Sequence, residues 1–457
     1  MTSTDDRVRQ GNRLLLARLI LGLGLGFAGL LAHAHLIGPH GYGLYASAAA
    51  LVLATQAIAS WGVPFWLVRQ APVLDSRSLS ASVSVLLMAG SASSALAALC
   101  SSFVLTGELG DARDIACFML GVLMLTIPFQ VGLATLERAQ RYRLISLVEL
   151  SANVVFVGLG VLLAWYYRSP WALAIAWAAQ EIVLASAWRL ASGVPIAFGG
   201  DRTAMREVFD SGWRNASVSA SWQARAIITP LVVGHLCDAA AVGLTQLAAK
   251  MVTSASTLRH VIWRTSGPAL AALRHDPQAT LKFERTAAIG LSLGVGLPLV
   301  LLAVVTAMIL PLLLGPRWSD LSMAVPFYAA ASLASCVSTP PTAALIARER
   351  SLDVTFFSLI STITLLIACV VLVPLVGWTG ALIAELVAIP ALVVLLRAHH
   401  RLVGPVHLRP AMLGALAMAV GSAFPLIGWP ALAAPALWML MSPEHRSLRH
   451  LLGTGNA

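Results

Sequence analysis

Residues 14–37 read LLLARLILGLGLGFAGLLAHAHLI, an apolar run of 24 residues. A helix rises about 1.5 Å per residue, so a run of this length crosses the roughly 30 Å hydrocarbon core of a bilayer. The run is too long for the roughly 7–15-residue hydrophobic region of a secretory signal peptide. We therefore expect it to form a transmembrane helix that the protein retains.

The whole chain has the composition of a membrane protein. Its 457 residues are 58% hydrophobic and only 11% charged. A soluble domain averages roughly 25% charged residues, because it needs them to cover its surface in water. The composition therefore excludes a water-soluble fold.

Charged or Pro/Gly-rich gaps divide the chain into apolar segments of helical length. They predict an all-α polytopic membrane protein with about 14 transmembrane helices. The last predicted segment has only 13 residues, so residues 410–442 form either two helices or one long tilted helix. The predicted helices span 14–37, 43–67, 79–106, 115–136, 145–167, 171–188, 211–235, 241–263, 286–314, 321–346, 354–374, 378–396, 410–428 and 430–442.

The distribution of Lys and Arg predicts the orientation in the membrane. Successive segments that connect the helices lie on alternate sides of the membrane. Of the 30 basic residues, 22 fall in the connecting segments of one side, three in those of the other side and five inside predicted helices. Cytoplasmic loops retain Lys and Arg, so we expect both termini in the cytoplasm. The net charge of +10 then follows from topology, and we expect no nucleic-acid partner.

Short patterns recur roughly 200 residues apart, as in a parallel internal repeat. Gly43-Leu44 begins the second predicted helix and Gly243-Leu244 begins the eighth; Trp171 and Trp378 begin the sixth and the twelfth. The repeat predicts two pseudo-symmetric six-helix lobes and a C-terminal addition. The expected domains are an N-terminal lobe at 1–192, a C-terminal lobe at 193–403, and a helix pair with a basic cytoplasmic tail at 404–457.

No catalytic or metal-binding signature is found in the sequence. It contains no P-loop, GxSxG, HExxH or dinucleotide-binding pattern, and its five cysteines are isolated. We therefore expect no enzyme activity, no catalytic residue, no cofactor and no metal. Without a nucleotide site, any work that the protein does would be driven by an ion gradient or by the concentration difference of its substrate.

Polar residues recur every three or four positions along the seventh and eighth predicted helices. This spacing places each set on one helical face. Because lipid leaves polar groups unsatisfied, these faces must meet each other or a water-filled cavity. The two sets are Ser211, Arg214, Ser217, Ser221, Arg225 and Thr229, and Gln246, Lys250, Thr253, Thr257, His260 and Arg264.

The basic residues in these sets predict a cationic cavity for an anionic substrate, because the guanidinium fork of Arg matches phosphate. Two alternatives remain: the bases pair with intramembrane carboxylates and hold helices together, or Arg214 and Arg259 reach the cytoplasmic interface. Only three carboxylates lie well inside the predicted helices, and they are too few to neutralise the five bases that lie there. The candidate substrate-binding residues are Arg18, Arg225, Lys250, Arg259 and Arg214.

The same three carboxylates, Glu149, Glu181 and Glu385, are the candidate coupling residues. A charge inside the membrane is costly and is usually kept for function. Such a carboxylate can take up a proton and couple transport to a proton gradient. The alternative is a fixed ion pair with an arginine of another helix.

Several short segments resemble the polysaccharide-biosynthesis (Wzx-type) oligosaccharide flippase family of the multidrug/oligosaccharidyl-lipid/polysaccharide exporter superfamily. The similarity extends from residue 11 to about residue 400, and its motifs follow the order found in that family. Family members often carry Tyr where this chain has Thr245, and Asp near the position of Arg225. The similar segments are 37–46 (IGPHGYGLYA), 241–244 (AVGL), 267–270 (GPAL), 314–318 (LGPRW) and 377–381 (GWTGA).

The resemblance implies two six-helix lobes around a central cavity. It also implies alternating-access transport of an undecaprenyl-diphosphate-linked oligosaccharide across the bacterial inner membrane, for exopolysaccharide, capsule or O-antigen (lipopolysaccharide) synthesis. The implied partners are the lipid-linked oligosaccharide and the lipid bilayer, with a polysaccharide polymerase and other assembly proteins as further candidates.

Two other functions are the alternatives. A drug or metabolite exporter of the same superfamily would bind cationic drugs in an acidic cavity, which the excess of bases argues against. A membrane-embedded glycosyltransferase or polymerase would need large periplasmic loops, whereas every predicted outer loop is short.

Overall fold

The computed structural model describes residues 4–69, 75–194, 199, 202–273, 275–405 and 407–441. Within these ranges the regular secondary structure is helical, and no strand occurs. Nine helical stretches in the described part are long and apolar enough to cross a membrane. The predicted all-α polytopic membrane fold is confirmed.

The chain divides into two compact units, Met1–Gln223 and Ala224–Ala457. The first unit contains seven helices and the beginning of an eighth. The lobe boundaries expected at residues 192 and 403 stay predictions. The helices are α1 (Thr4–Ala59), α2 (Val63–Arg69), α3 (Ser76–Val104), α4 (Gly110–Thr126), α5 (Gln130–Arg138), α6 (Tyr142–Tyr167), α7 (Trp171–Ser192) and α8 (Arg202–Leu236).

The second unit contains the end of α8 and eleven further helices in the described residues. They are α9 (Ala239–Ala255), α10 (Thr257–Ala272), α11 (Pro277–Met308), α12 (Leu310–Leu314), α13 (Leu321–Ala347), α14 (Ser351–Val376), α15 (Thr379–Val387), α16 (Leu392–Leu402), α17 (Arg409–Ser422), α18 (Phe424–Ile427) and α19 (Ala433–Met441). Short 3₁₀ turns lie at Gly107–Leu109, Ile127–Phe129, Pro316–Trp318, Ile389–Ala391 and Trp429–Leu432.

Several predicted helices are joined or broken at Gly and Pro. The first two join in α1, where Gly38 has φ 79° and ψ 172° just before Pro39. Glycine adopts this conformation without a Cβ clash. Pro128 and Pro390 lie in the 3₁₀ turns that separate α4 from α5 and α15 from α16, because proline lacks the N–H that a continuous helix needs.

Aspartates begin three of the helices. Asp75, Asp238 and Asp276 accept hydrogen bonds from the backbone N–H three residues later, at 2.8, 2.6 and 3.0 Å. Such N-caps satisfy a donor that has no partner inside the helix. Hydrogen bonds from the Ser78 side chain and backbone hold the pKa of the exposed Asp75 carboxyl below its ordinary value.

The start of α8 packs on the loop that follows α1. The Trp61 and Phe209 rings stack with centroids 4.6 Å apart, and Trp61 Nε1 donates a hydrogen bond to the Phe209 carbonyl at 3.0 Å. Arg77 donates a hydrogen bond to the Thr203 hydroxyl at 2.8 Å. These contacts hold the start of α8 in place within the first unit.

The last apolar region forms two helices that pack together. The chain breaks at Gly428, where φ is 78°, and α17 contacts α19. A Cβ atom on Gly414 would lie 2.6 Å from Trp438 Cζ2. Of the two arrangements open for residues 410–442, the described residues form the helix pair.

Candidate substrate-binding site

Arg225 connects three helices of the second unit. Its Nη1 donates a hydrogen bond to the Ser361 hydroxyl on α14 at 2.8 Å. Its Nη2 donates to a carboxylate oxygen of Glu385 on α15. Because both bonds carry the charge of the guanidinium, they are stronger than bonds between neutral groups. Arg225 and Glu385 therefore form an ion pair between helices in this structure. This pairing is one of the alternatives that the sequence left open for the basic residues.

An apolar cluster from the same helices holds this ion pair in place. It contains buried residues of α8, α9, α14 and α15, and Ala388, which directly follows α15. Close packing leaves these helices little freedom to shift, so the partners of Arg225 keep a defined geometry. The members of the cluster are Ile228, Val233, Ala241, Val242, Leu365, Ala368, Cys369, Val373, Ala381, Ala384 and Ala388.

The two members of the ion pair differ in exposure. The Glu385 side chain is 11% exposed, whereas that of Arg225 is 30% exposed. A guanidinium has five N–H donors, and the bonds to Ser361 and Glu385 use two of them. Arg225 therefore retains donors with which it can bind a second anion.

Tyr328 of α13 contributes another polar group beside this pair. It lies within electrostatic range of Arg225, Glu385 and Cys369. Its hydroxyl is buried and has no partner in hydrogen-bonding geometry among the described residues, although Thr229 lies nearby. An unpartnered buried hydroxyl is uncommon in folded proteins.

Lys250 and Arg259 are the other two described bases from the predicted set. Lys250 on α9 is exposed and Arg259 on α10 is half-buried. Neither side chain makes an ion pair or a hydrogen bond with a described residue, although Arg259 lies within electrostatic range of the buried Cys336 sulfur. These two cations remain open to an anion that the protein itself does not supply in its described part.

One face of α13 links these basic residues. Tyr328, Ser332 and Cys336 recur every fourth residue, so they share that face over about 12 Å. The Ser332 and Ser256 hydroxyls are 2.8 Å apart, and Ser256 lies at the break between α9 and α10. The sequence interpretation missed this polar face, although its four-residue spacing was visible in the tenth predicted helix.

The remaining candidates lie in the first unit. Arg18 and Arg214 belong to α1 and α8, and their side chains lie outside the described residues. Glu149 on α6 is exposed and Glu181 on α7 is partly buried. Glu181 makes no ion pair or hydrogen bond with a described residue. The substrate-binding and coupling roles of all these residues stay predictions.

A second buried pair was missed by the sequence interpretation. Glu284 Oε1 on α11 lies 2.8 Å from His399 Nε2 on α16, and both side chains are 0% exposed. Glu284 lies between Lys282 and Arg285, which make this stretch resemble a cytoplasmic loop. No local pattern distinguishes such a carboxylate from a solvated one. In the described part of the chain, no three His, Cys, Asp or Glu are grouped to hold a metal ion.

Two solved structures share this fold. The lipid II flippase MurJ in an inward closed conformation matches with a TM-score of 0.72 and 12% identity, covering 96% of this chain and 99% of that chain. An inward-facing multidrug resistance MATE family transporter of the MOP superfamily matches with a TM-score of 0.59 and 14% identity, covering 84% and 94%. The chain is therefore a multi-pass membrane protein with the fold of these two structures.

The sequence family is established independently. Residues 32–323 match the family described as polysaccharide biosynthesis protein. This match covers more than half of the chain, so the chain belongs to that family. The family resemblance drawn from the short motifs is confirmed. No curated protein sequence matches the chain.

Proposed function

We propose that this protein is a bacterial inner-membrane flippase for an undecaprenyl-diphosphate-linked oligosaccharide. It works by alternating access in exopolysaccharide, capsule or O-antigen synthesis, with both termini in the cytoplasm. Membership of the polysaccharide biosynthesis family and the fold shared with a lipid II flippase support this proposal.

The observation that carries the proposal is that the positive charges of Lys250 and Arg259 are unpaired in the described part of the chain. Both lie on helices that we place in the membrane, and neither has a carboxylate partner among the described residues. Lys250 lies near the middle of its predicted helix, where a Lys costs about 2.5–3.5 kcal/mol, so it needs an anion from elsewhere. The diphosphate of a lipid carrier supplies negative charge on two adjacent phosphates.

The other predicted residues have defined places in this proposal. Arg18, Arg214 and Arg225 are the further candidates for binding the diphosphate. Glu149, Glu181 and Glu385 are the candidates for coupling transport to an ion gradient. A polysaccharide polymerase and other assembly proteins would act on the glycan once it reaches the outer face.

Depletion of the protein in its native host tests the proposed activity. We expect undecaprenyl-diphosphate-linked oligosaccharide to accumulate on the cytoplasmic leaflet and the surface polysaccharide to disappear. Normal delivery of the glycan to the periplasm would contradict the proposal. Export of drugs or metabolites would then be tested next, by comparing their accumulation in depleted and normal cells.

The variant K250A/R259A tests the cationic site. We expect it to reach the membrane at the normal level and to lose most of its ability to restore surface polysaccharide in depleted cells. K282A is the matched control, because Lys282 is exposed near the start of α11 and has no place in the proposed site. Full restoration of surface polysaccharide by K250A/R259A would show that transport does not need these two cations, and the proposal would lose its main support.

A further inference from the structure

Arg225 is the more exposed member of its ion pair with Glu385. Glu385 is almost buried, whereas nearly a third of the Arg225 side chain is exposed. An approaching anion therefore has more of the guanidinium than of the carboxylate to contact. Donors that Ser361 and Glu385 do not use remain on the guanidinium.

We propose that Glu385 is a resident counter-ion that exchanges with the substrate diphosphate on Arg225 during transport. In the empty protein, Arg225 pairs with Glu385; in the loaded protein, it pairs with a phosphate. When the substrate leaves, Glu385 binds Arg225 again. The inference rests on the proposed function, because it requires a diphosphate-bearing substrate.

Electrostatics gives a reason for such an exchange. A partly buried arginine without an anion is unfavourable, so the empty transporter needs Glu385. An arginine that had no alternative partner would hold the diphosphate and slow its release. A competing carboxylate weakens the binding of the diphosphate to Arg225. It then pairs with Arg225 when the diphosphate leaves. Affinity is then low enough for turnover, as a transport site requires.

Tyr328 supplies the partner that Glu385 needs while Arg225 is occupied. Its buried hydroxyl lies within electrostatic range of Glu385 and has no hydrogen-bond partner among the described residues. A phenolic hydroxyl can donate to a carboxylate. Glu385 thus exchanges the guanidinium for this hydroxyl. The other polar groups around the pair are Ser361, Thr229 and Cys369.

Lys250 and Arg259 have a different role in this scheme. Neither has a competing carboxylate among the described residues, so both attract the diphosphate throughout. Arg225 is the base whose availability changes. Lys250 and Arg259 therefore capture the substrate, and Arg225 controls its release.

Binding of undecaprenyl diphosphate to the purified full-length protein tests the exchange. The protein is placed in nanodiscs of zwitterionic phosphatidylcholine, so that no anionic lipid competes. We expect E385Q to bind about tenfold more tightly than the wild type and to release the probe more slowly, because the competitor for Arg225 is lost. E385D keeps the charge and should restore affinity to near the wild-type value.

A control variant and a second test variant complete the experiment. D320N removes one negative charge from an exposed position in the second unit and should bind like the wild type. Y328F leaves the ion pair intact but removes the donor for the displaced Glu385, so we expect about fivefold weaker binding. Y328F also provides the test if E385Q fails to fold.

The outcomes distinguish this inference from the proposed function. Weaker binding by E385Q would show that Glu385 only orients Arg225, and unchanged binding by E385Q or by Y328F would show that no exchange occurs. Either result overturns the exchange while wild-type binding stands. Absence of binding by the wild type would instead count against the proposed function itself.

Discussion

Glu284 and His399 show how a single contact can hold two helices together. Their bond is 2.8 Å long, and neither side chain is exposed. Glu284 Oε2 and His399 Nδ1 have no partner among the described residues, so each group depends on the other. The pair joins α11 to α16 within the second unit. Since a buried ionisable group without a partner is costly, this site is sensitive to loss of either member.

We expect E284A and H399A each to destabilise the protein by about 3–5 kcal/mol, because each leaves a buried polar group unpaired. The double variant E284L/H399L should be less destabilised than the sum of the two, since it removes both polar groups and fills their space. Thermal unfolding in detergent measures these effects. Additive losses would show that the two residues act independently.

At the scale of the element, the pairing of α17 with α19 depends on small residues. Gly414 lies against Trp438, and Gly421 lies against Pro435. A glycine in a helix usually costs stability relative to alanine. Here the absence of a side chain allows the two helices to approach closely, as small residues do in membrane helix pairs.

The variant G414A tests this close approach. Its Cβ atom would lie 2.6 Å from Trp438 Cζ2, so we expect it to lower stability by about 1–3 kcal/mol through overpacking. G290A in α11 is the matched control, because nothing lies within 4 Å of the position its Cβ would take. Thermal unfolding of both variants is compared. Equal stability of the two would contradict tight packing of α17 on α19.

At the scale of the whole molecule, the predicted topology depends on where the basic residues fall. The segment between the seventh and eighth predicted helices lies on the outer side in this topology. It contains Cys237, a partly exposed cysteine between α8 and α9. Ser76, an exposed residue at the start of α3, lies on the cytoplasmic side.

Labelling of intact cells with a membrane-impermeant maleimide tests this topology. We expect a variant that retains only Cys237 to be labelled in intact cells. A cysteine-free protein carrying S76C should be labelled only after the cells are opened. The reverse pattern would place the termini outside and contradict the predicted orientation.

Much of the helical structure could be predicted because its causes are local. The length of each apolar run, a Pro such as Pro390, or a capping Asp such as Asp75 acts on neighbouring residues. Except for the first two, which join in α1, each predicted segment corresponds to one helix or a short series of helices in the described residues. The break between α9 and α10 was not foreseen; at this break Ser256 contacts Ser332 of α13, a residue distant in sequence.

The membrane class, the helical segments and the basic residues of the candidate site follow from the amino-acid sequence alone. The contacts of Arg225 with Glu385, 160 positions away, and of Glu284 with His399, 115 positions away, arise only when the chain folds. The packing of α17 on α19 arises in the same way. Helix formation and hydrophobicity depend on residues close in sequence, whereas the partner of a buried charge depends on which helix faces pack together.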